Sequence, residues 1–340
     1  MVHRLSFLIG KTCRVSQIAR VCVLAGFALS TAVQIQGQSK SPVLATPGED
    51  NAPKAVKNGP AAQTFTLVGA GDVASCKHLD SARATAKLIE GIPGTVFVAG
   101  DLAYERGTPA EFRNCYHPTW GQFKDRTKPA VGNHEYNSHS AAGYFEYWGE
   151  QAGPAGKGFY SYDLGAWHVV VLNTNCDEKG LGGCAKGSPQ ESWLRTDLAK
   201  RPDACILAYG HHPLNSSGVK EKHALHPELK PLWEDLYAAR ADLVLAGHEH
   251  FYERFAPQGP LGNPDPARGI RQIIVGTGGR QYDKIGKPIQ NSEVRESGTY
   301  GVLKLTLAQG KYSWEFIPVA GSTFRDSGSG VCHNAASTAN

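Results

Sequence analysis

The stretch Asp242-Leu243-Val244-Leu245-Ala246-Gly247-His248-Glu249-His250 decides how the rest of the chain is read. A strand-like apolar run, Asp242–Ala246, closes on Gly247 and is followed at once by side chains able to ligate a metal. The pattern recurs four more times. Thr64–Val68 precedes Ala70-Gly71-Asp72, Thr95–Ala99 precedes Gly100-Asp101-Leu102-Ala103-Tyr104, Lys128–Val131 precedes Gly132-Asn133-His134-Glu135, and Cys205–Tyr209 precedes Gly210-His211-His212. A glycine stands before the key polar residue each time, so the backbone can turn sharply past a strand without a Cβ clash. Taken singly, a Gly-Asp or a Gly-Asn-His is an ordinary turn. Five such turns behind apolar runs, mixing carboxylate, phenol, amide and imidazole, point to one site. In an open α/β sheet, ligands gather at the carboxyl ends of strands, where loops distant in sequence converge.

Sorting the donors by hardness gives two overlapping sets. Asp72, Asp101 and Tyr104 offer anionic oxygens suited to a hard trivalent ion, whereas Asn133, His211 and His248 offer neutral donors suited to zinc, iron or manganese. Asp101, central in the series, is the expected bridge. Two adjacent cations suit this set better than one.

The rest of the chain sets the context. With 340 residues, 41% hydrophobic and 19% charged, it can fill a sizeable core, and it carries no 20–45-residue repeat. Arg4, Lys11, Arg14 and Arg20 precede an apolar run from Val21 to Val33. That run is too short to span a bilayer and has the length of a signal-peptide core, with Ser30-Thr31-Ala32 offering cleavage after Ala32 and Gly37 an alternative site. Residues 1–32 are therefore expected as a signal peptide, 33–63 as a flexible leader, 64–320 as the folded body and 321–340 as a flexible tail. Export to a secreted or periplasmic location follows, with no stable membrane insertion after processing. The formal charge of +4 falls to zero once four signal-peptide cations are removed (+4 − 4 = 0), and no basic cluster with interleaved aromatics suggests nucleic acid. Oligomeric state has no signature here.

Six cysteines remain after the signal, an even number suited to disulfides in an oxidising compartment. Cys176 and Cys184 bracket a short Gly-rich loop and form the first expected pair. Cys76 and Cys115, each just past a ligand segment, would brace the site, which leaves Cys205 with Cys332. Helices are expected at Leu79–Glu90, after the cap Ser188-Pro189-Gln190-Glu191, and at Pro227–Arg240. Phe159–Leu164 and Trp167–Leu172 read as a hairpin about Gly165; Ile270–Val275, Tyr300–Leu307 and Tyr312–Val319 read as further strands. The fold class is α/β in a mixed sense: two packed mixed sheets flanked by helices.

These residues carry a family resemblance. Gly247-His248-Glu249-His250-Phe251-Tyr252-Glu253-Arg254 is similar to the GHxHxYER signature of purple acid phosphatases, and Gly132-Asn133-His134-Glu135 resembles the GNHE element of the calcineurin-like metallophosphoesterases. Tyr104, three residues after Asp101, looks like the tyrosinate ligand of the purple enzymes. One departure is the Val73-Ala74 that follows Asp72, where relatives commonly carry His or Gly two residues on. The resemblance covers residues 64–319 and looks like the small single-domain class, without the fibronectin-like domain of the large plant enzymes. It implies the calcineurin-like sandwich, with Fe(III) on Asp72, Asp101, Tyr104 and His250 and a divalent ion (Zn, Fe or Mn) on Asp101, Asn133, His211 and His248. It implies His134 and His212 as catalytic groups, and in-line hydrolysis of small phosphate monoesters by a metal-activated hydroxide.

Two alternatives stay open: a phosphodiesterase or nucleotide-cleaving enzyme with the same metals, and a non-catalytic exported binding protein on this fold. A dinucleotide-dependent oxidoreductase fails, because no Gly-x-Gly-x-x-Gly opens a helix after the first strand. Arg280, at the end of Gly276-Thr277-Gly278-Gly279-Arg280, stands as a candidate substrate contact.

Overall fold

Alternating side chains divide each central strand between two cores. In β7 (Trp167–Val171) and β8 (Cys205–Tyr209), Trp167, Val169, Val171, Cys205, Leu207 and Tyr209 face one buried cluster, while Val170, Ile206 and Ala208 face another. This period of two places sheet against sheet on one side and sheet against helix on the other. The computed structural model describes residues 63–219 and 226–334, all within one compact unit, Asn58–Asn340. The expected signal peptide and most of the leader lie outside the described residues.

The remaining strands are β1 (Thr64–Ala70), β2 (Ala74–Ser75), β3 (Thr95–Ala99), β4 (Ala103–Tyr104), β5 (Thr127–Ala130), β6 (Tyr160–Leu164), β9 (Leu243–Ala246), β10 (Tyr252–Phe255), β11 (Arg271–Val275), β12 (Ser292–Glu296), β13 (Gly301–Ala308), β14 (Lys311–Pro318) and β15 (Asp326–Val331). One sheet has the order β15-β14-β13-β1-β3-β5 and the other β12-β10-β11-β9-β8-β7-β6, with β2 and β4 as a separate pair. β1, β3 and β5 run parallel, as do β7, β8, β9 and β11; the outer strands are antiparallel. The sheets meet face to face through contacts such as Phe97 on Tyr209, with ring centroids 5.6 Å apart, and the Trp167 indole N–H donating to the Ala308 carbonyl at 2.8 Å.

The helices follow the local signals. Leu79–Glu90 buries Ala82, Thr85, Ala86 and Ile89 on one face. Pro189–Leu198 begins where the Ser188 hydroxyl accepts from the Glu191 N–H. The third expected helix divides, opening as a 3₁₀ turn over Pro227–Leu229 before the α-helix Lys230–Ala238. All three expected cysteine pairs are joined, Cys76–Cys115, Cys176–Cys184 and Cys205–Cys332.

The C-terminal segment differs from the expectation of a flexible tail from 321. Asp326–Val331 forms β15, antiparallel to β14. Its Ser/Gly composition suggested disorder, yet the glycines are what let it pack. A Cβ on Gly328 would lie 2.2 Å from the Trp314 ring, and one on Gly330 would lie 2.4 Å from the Tyr312 ring. Two aromatic side chains of β14 cover bare backbone there. The Asp326 carboxylate adds hydrogen bonds from the Tyr252 hydroxyl, the Arg254 guanidinium and the Trp314 indole.

Candidate metal centre

The carboxyl ends of β1, β3 and β5 meet those of β8 and β9, and every expected ligand lies at that edge. Backbone hydrogen bonds stitch the loops together: the Asp72 N–H donates to the Gly100 carbonyl at 3.1 Å, and the Gly247 N–H to the His211 carbonyl at 2.9 Å. The left-handed turns fall on the polar residues themselves, with φ of 61° at Asp72, 52° at Asp101 and 70° at His248. Of the five leading glycines only Gly100 has positive φ, at 79°. The others serve close approach. A Cβ on Gly132 would stand 2.1 Å from Asp101 Oδ1, and one on Gly247 would stand 2.6 Å from Asp72 Oδ2.

Seven donors converge in two groups. Around Asp72, the Tyr104 hydroxyl donates to Oδ1 at 2.7 Å, His250 Nε2 lies 3.4 Å from the same oxygen, and the His248 N–H donates to Oδ2 at 2.8 Å. The departure at Val73-Ala74 has not displaced Asp72, which is fully buried in the middle of this group. In the second group, Asn133 Oδ1 lies 2.9 Å from His211 Nε2 and 3.0 Å from His248 Nδ1, and the two imidazole nitrogens are 3.2 Å apart. Asp101 joins the groups: its Oδ1 lies 3.3 Å from His211 Nε2 and accepts the His134 backbone N–H at 2.9 Å. Asp72, Asp101 and His211 form one cluster able to hold a metal, and His211, His212 and His248 form another.

The chemistry of these donors fits cations. His211 Nδ1 faces the Ala99 carbonyl at 2.9 Å and so carries the ring's hydrogen; in the neutral ring Nε2 is then a lone pair aimed at the oxygens of Asn133 and Asp101. His250 repeats the device, with Nδ1 on the Gln281 carbonyl at 2.8 Å and Nε2 toward Asp72 and Tyr104. Acceptor facing acceptor is stable only with positive charge between them. Among the described residues, no lysine or arginine pairs with Asp72 or Asp101. Protons respond accordingly. Burial lowers the His211 imidazole, but Asp101 outweighs it and carries the ring up to about 9. Burial also opposes ionisation of Asp101, yet His211 and His134 hold its carboxyl well below the usual carboxylate range. Burial first, then Asp101 and Asp72, push the Tyr104 phenol well above its ordinary value.

His134 and His212 sit beside the donors. The His134 Nδ1 bonds the Glu105 carbonyl at 2.7 Å, leaving Nε2 3.9 Å from Asp101 Oδ2 on a side chain about one quarter exposed (26%). His212 Nδ1 lies 3.0 Å from the Thr174 hydroxyl, and its ring centroid is 4.4 Å from that of His248. The guanidinium of Arg280, the candidate substrate contact, forms a forked pair with Glu105.

Sequence reasoning passed over Thr174 and Glu135. The Thr174 hydroxyl accepts the N–H of both His211 and His212, at 3.1 and 2.9 Å. It follows the apolar strand β7, like the other site residues, but without a leading glycine. The fully buried Glu135 carboxylate accepts four backbone N–H groups, from Gly132, Asp101, Leu102 and Ala103, at 2.9 to 3.2 Å. Glu135→Gln places an amide NH₂ against two of those donors. The expected cost is about 2–4 kcal/mol of stability, read as a lowered melting temperature. An unchanged melting temperature would contradict this account of Glu135.

The profile of the calcineurin-like phosphoesterases matches residues 65–252. The chain belongs to that family. Purple acid phosphatases are among its homologues: Purple acid phosphatase 23 of Arabidopsis thaliana is 31% identical over 205 residues, 49% of this chain and 43% of that protein. Probable purple acid phosphatase 20 of the same plant is 30% identical over 180 residues, 46% of this chain and 39% of that one. The matches thus span less than half the length of these curated relatives. The purple acid phosphatase isolated from yellow lupin (Lupinus luteus) seeds superposes with a TM-score of 0.62 over 79% of this chain and 54% of that chain, at 19% identity, a likeness of fold. The two-sheet phosphoesterase architecture brings together candidate donors from both halves of this chain. Among the described residues no helix is long and apolar enough to cross a membrane.

Proposed function

We propose that this chain is an exported dimetal phosphatase of the purple acid phosphatase type, hydrolysing small phosphate monoesters. The observation that carries the reading is the convergence of seven donors into two groups sharing Asp101. Asp72, Asp101, Tyr104 and His250 would hold Fe(III); Asp101, Asn133, His211 and His248 would hold Zn, Fe or Mn. When bound, two such ions would supply Lewis acidity and make a water molecule easier to deprotonate.

The chain's own groups do the orienting. The Ala99 and Gln281 carbonyls hold His211 and His250 with Nε2 inward, and Tyr104, which here donates its proton to Asp72, would hold the ferric ion as the phenolate, with that proton released to solvent. His134, anchored through Nδ1, can deliver a proton from Nε2 to the leaving-group oxygen. His212, braced on Thr174, can donate to a phosphate oxygen. Export is supported by the basic and apolar N-terminal stretch and by three disulfides. In this reading residues 1–32 are removed and 33–63 lead into the catalytic body, which extends through β15 to the Cys205–Cys332 disulfide.

A phosphodiesterase is the second reading, favoured by one observation. A monoester carries an extra charge, and Arg280 is committed to Glu105 rather than free to meet it. Turnover of p-nitrophenyl phosphate against bis(p-nitrophenyl) phosphate separates the two. The monoester should dominate; faster diester turnover would sink the monoesterase proposal.

A further inference from the structure

We propose that Arg280 is a positioning residue for Tyr104, stabilising its phenolate through the ring face and so setting how readily it donates charge to a ferric ion. The inference rests on the reading of Tyr104 as an Fe(III) ligand. The Arg280 backbone N–H donates to the Asp72 carbonyl at 2.8 Å, so the residue is pinned to the loop that carries the first donor. Its guanidinium reaches Glu105 with Nη1 on Oε1 at 2.7 Å and Nη2 on Oε2 at 3.0 Å, and touches the Ser75 hydroxyl at 3.3 Å. That fork fixes the guanidinium, with its central carbon 4.6 Å from the Tyr104 ring centroid. Glu105 follows Tyr104 in the chain, and its carbonyl holds His134, whose ring centroid is 4.5 Å from that of Tyr104.

The surroundings make this cation more than a brace. Tyr104 is buried beside the Asp72 and Asp101 carboxylates, its hydroxyl 2.7 Å from Asp72 Oδ1, so negative charge on the phenol oxygen meets like charge there. Among the described residues, Arg280 supplies the one cation stacked on this ring. A phenolate-to-iron transition moves one electron from the ring to Fe(III). The guanidinium favours the phenolate over the neutral ring left behind, so it raises the transition energy. Glu105 opposes it in part.

Visible spectra of the purified holoprotein, with iron content and circular dichroism, test this. The wild type should show a visible band that Tyr104→Phe abolishes. Arg280→Gln should move the band to longer wavelength by on the order of 10–40 nm at equal iron, and Arg280→Lys, which keeps the charge without the fork, by less. Glu105→Gln removes the counter-charge while keeping an acceptor, so its band should move to shorter wavelength; this variant decides the matter if Arg280→Gln does not fold. An unmoved band in iron-loaded Arg280→Gln, or both substitutions shifting it the same way, overturns the role of Arg280 and leaves Tyr104 as a ligand. A colourless, iron-free wild type overturns the ferric reading and this inference together.

Discussion

Asp101→Asn should lower phosphate-ester turnover by about 10³-fold or more and reduce the bound metal to at most one ion per chain. Asparagine is the informative replacement for two reasons. It keeps the size of the side chain, and it is among the few residues that tolerate the left-handed backbone found here, φ 52°. What it removes is the charge between the two donor groups. The Asp101 carboxylate faces His211 Nε2 at 3.3 Å and His134 Nε2 at 3.9 Å, with no lysine or arginine among the described residues to take its place as partner. One amide oxygen cannot bridge two cations as a carboxylate can, and the NH₂ group repels whichever ion it faces. The melting temperature of the metal-free protein should change little by comparison. Full metal content with full activity in Asp101→Asn would remove Asp101 as the bridge.

Gly100→Ala is expected to cost about 3 kcal/mol and to empty the same centre from the other side. The position carries φ 79°, which strains any residue with a Cβ. That Cβ would also lie 2.4 to 2.6 Å from three atoms of the His211 side chain. His211 is fully buried and tied to the Ala99 carbonyl, so it cannot move aside without losing its tautomer and its aim. The substitution thus adds local strain and displaces a ligand. Thermal denaturation with and without added Zn²⁺ reads both effects. A protein as stable as wild type that still binds the metal would show that the loop adapts, contrary to this account.

The strands that carry the candidate ligands were legible because each is a short apolar run followed by a glycine. β3 and β8 coincide with the expected runs, and the helix from Pro189 begins at a complete local signal, Ser188 with Glu191 three residues on. Elements whose formation depends on distant partners were not legible. β15 is poor in apolar residues and exists because Trp314 and Tyr312 lie over its glycines. β10 and β12 were likewise missed: they are short, and each is specified by its neighbours in the sheet. At the site, the side-chain donors announced themselves, but the groups that aim them did not. The carbonyls of Ala99, Gln281 and Glu105 fix three imidazoles, and a backbone carbonyl leaves no mark in the sequence. The leading glycines were read as turn-formers. Four of the five instead clear space, and the left-handed backbone falls on Asp72, Asp101 and His248.

The central claim is that Asp72, Asp101, Tyr104, Asn133, His211, His248 and His250 form one centre for two unlike metal ions. Elemental analysis of the purified, folded protein tests it most directly. The account predicts two metal ions per chain, one of them iron and the other zinc, iron or manganese, with both contents reduced in Asp101→Asn. A folded wild-type protein that turns over phosphate esters while holding no metal would contradict it.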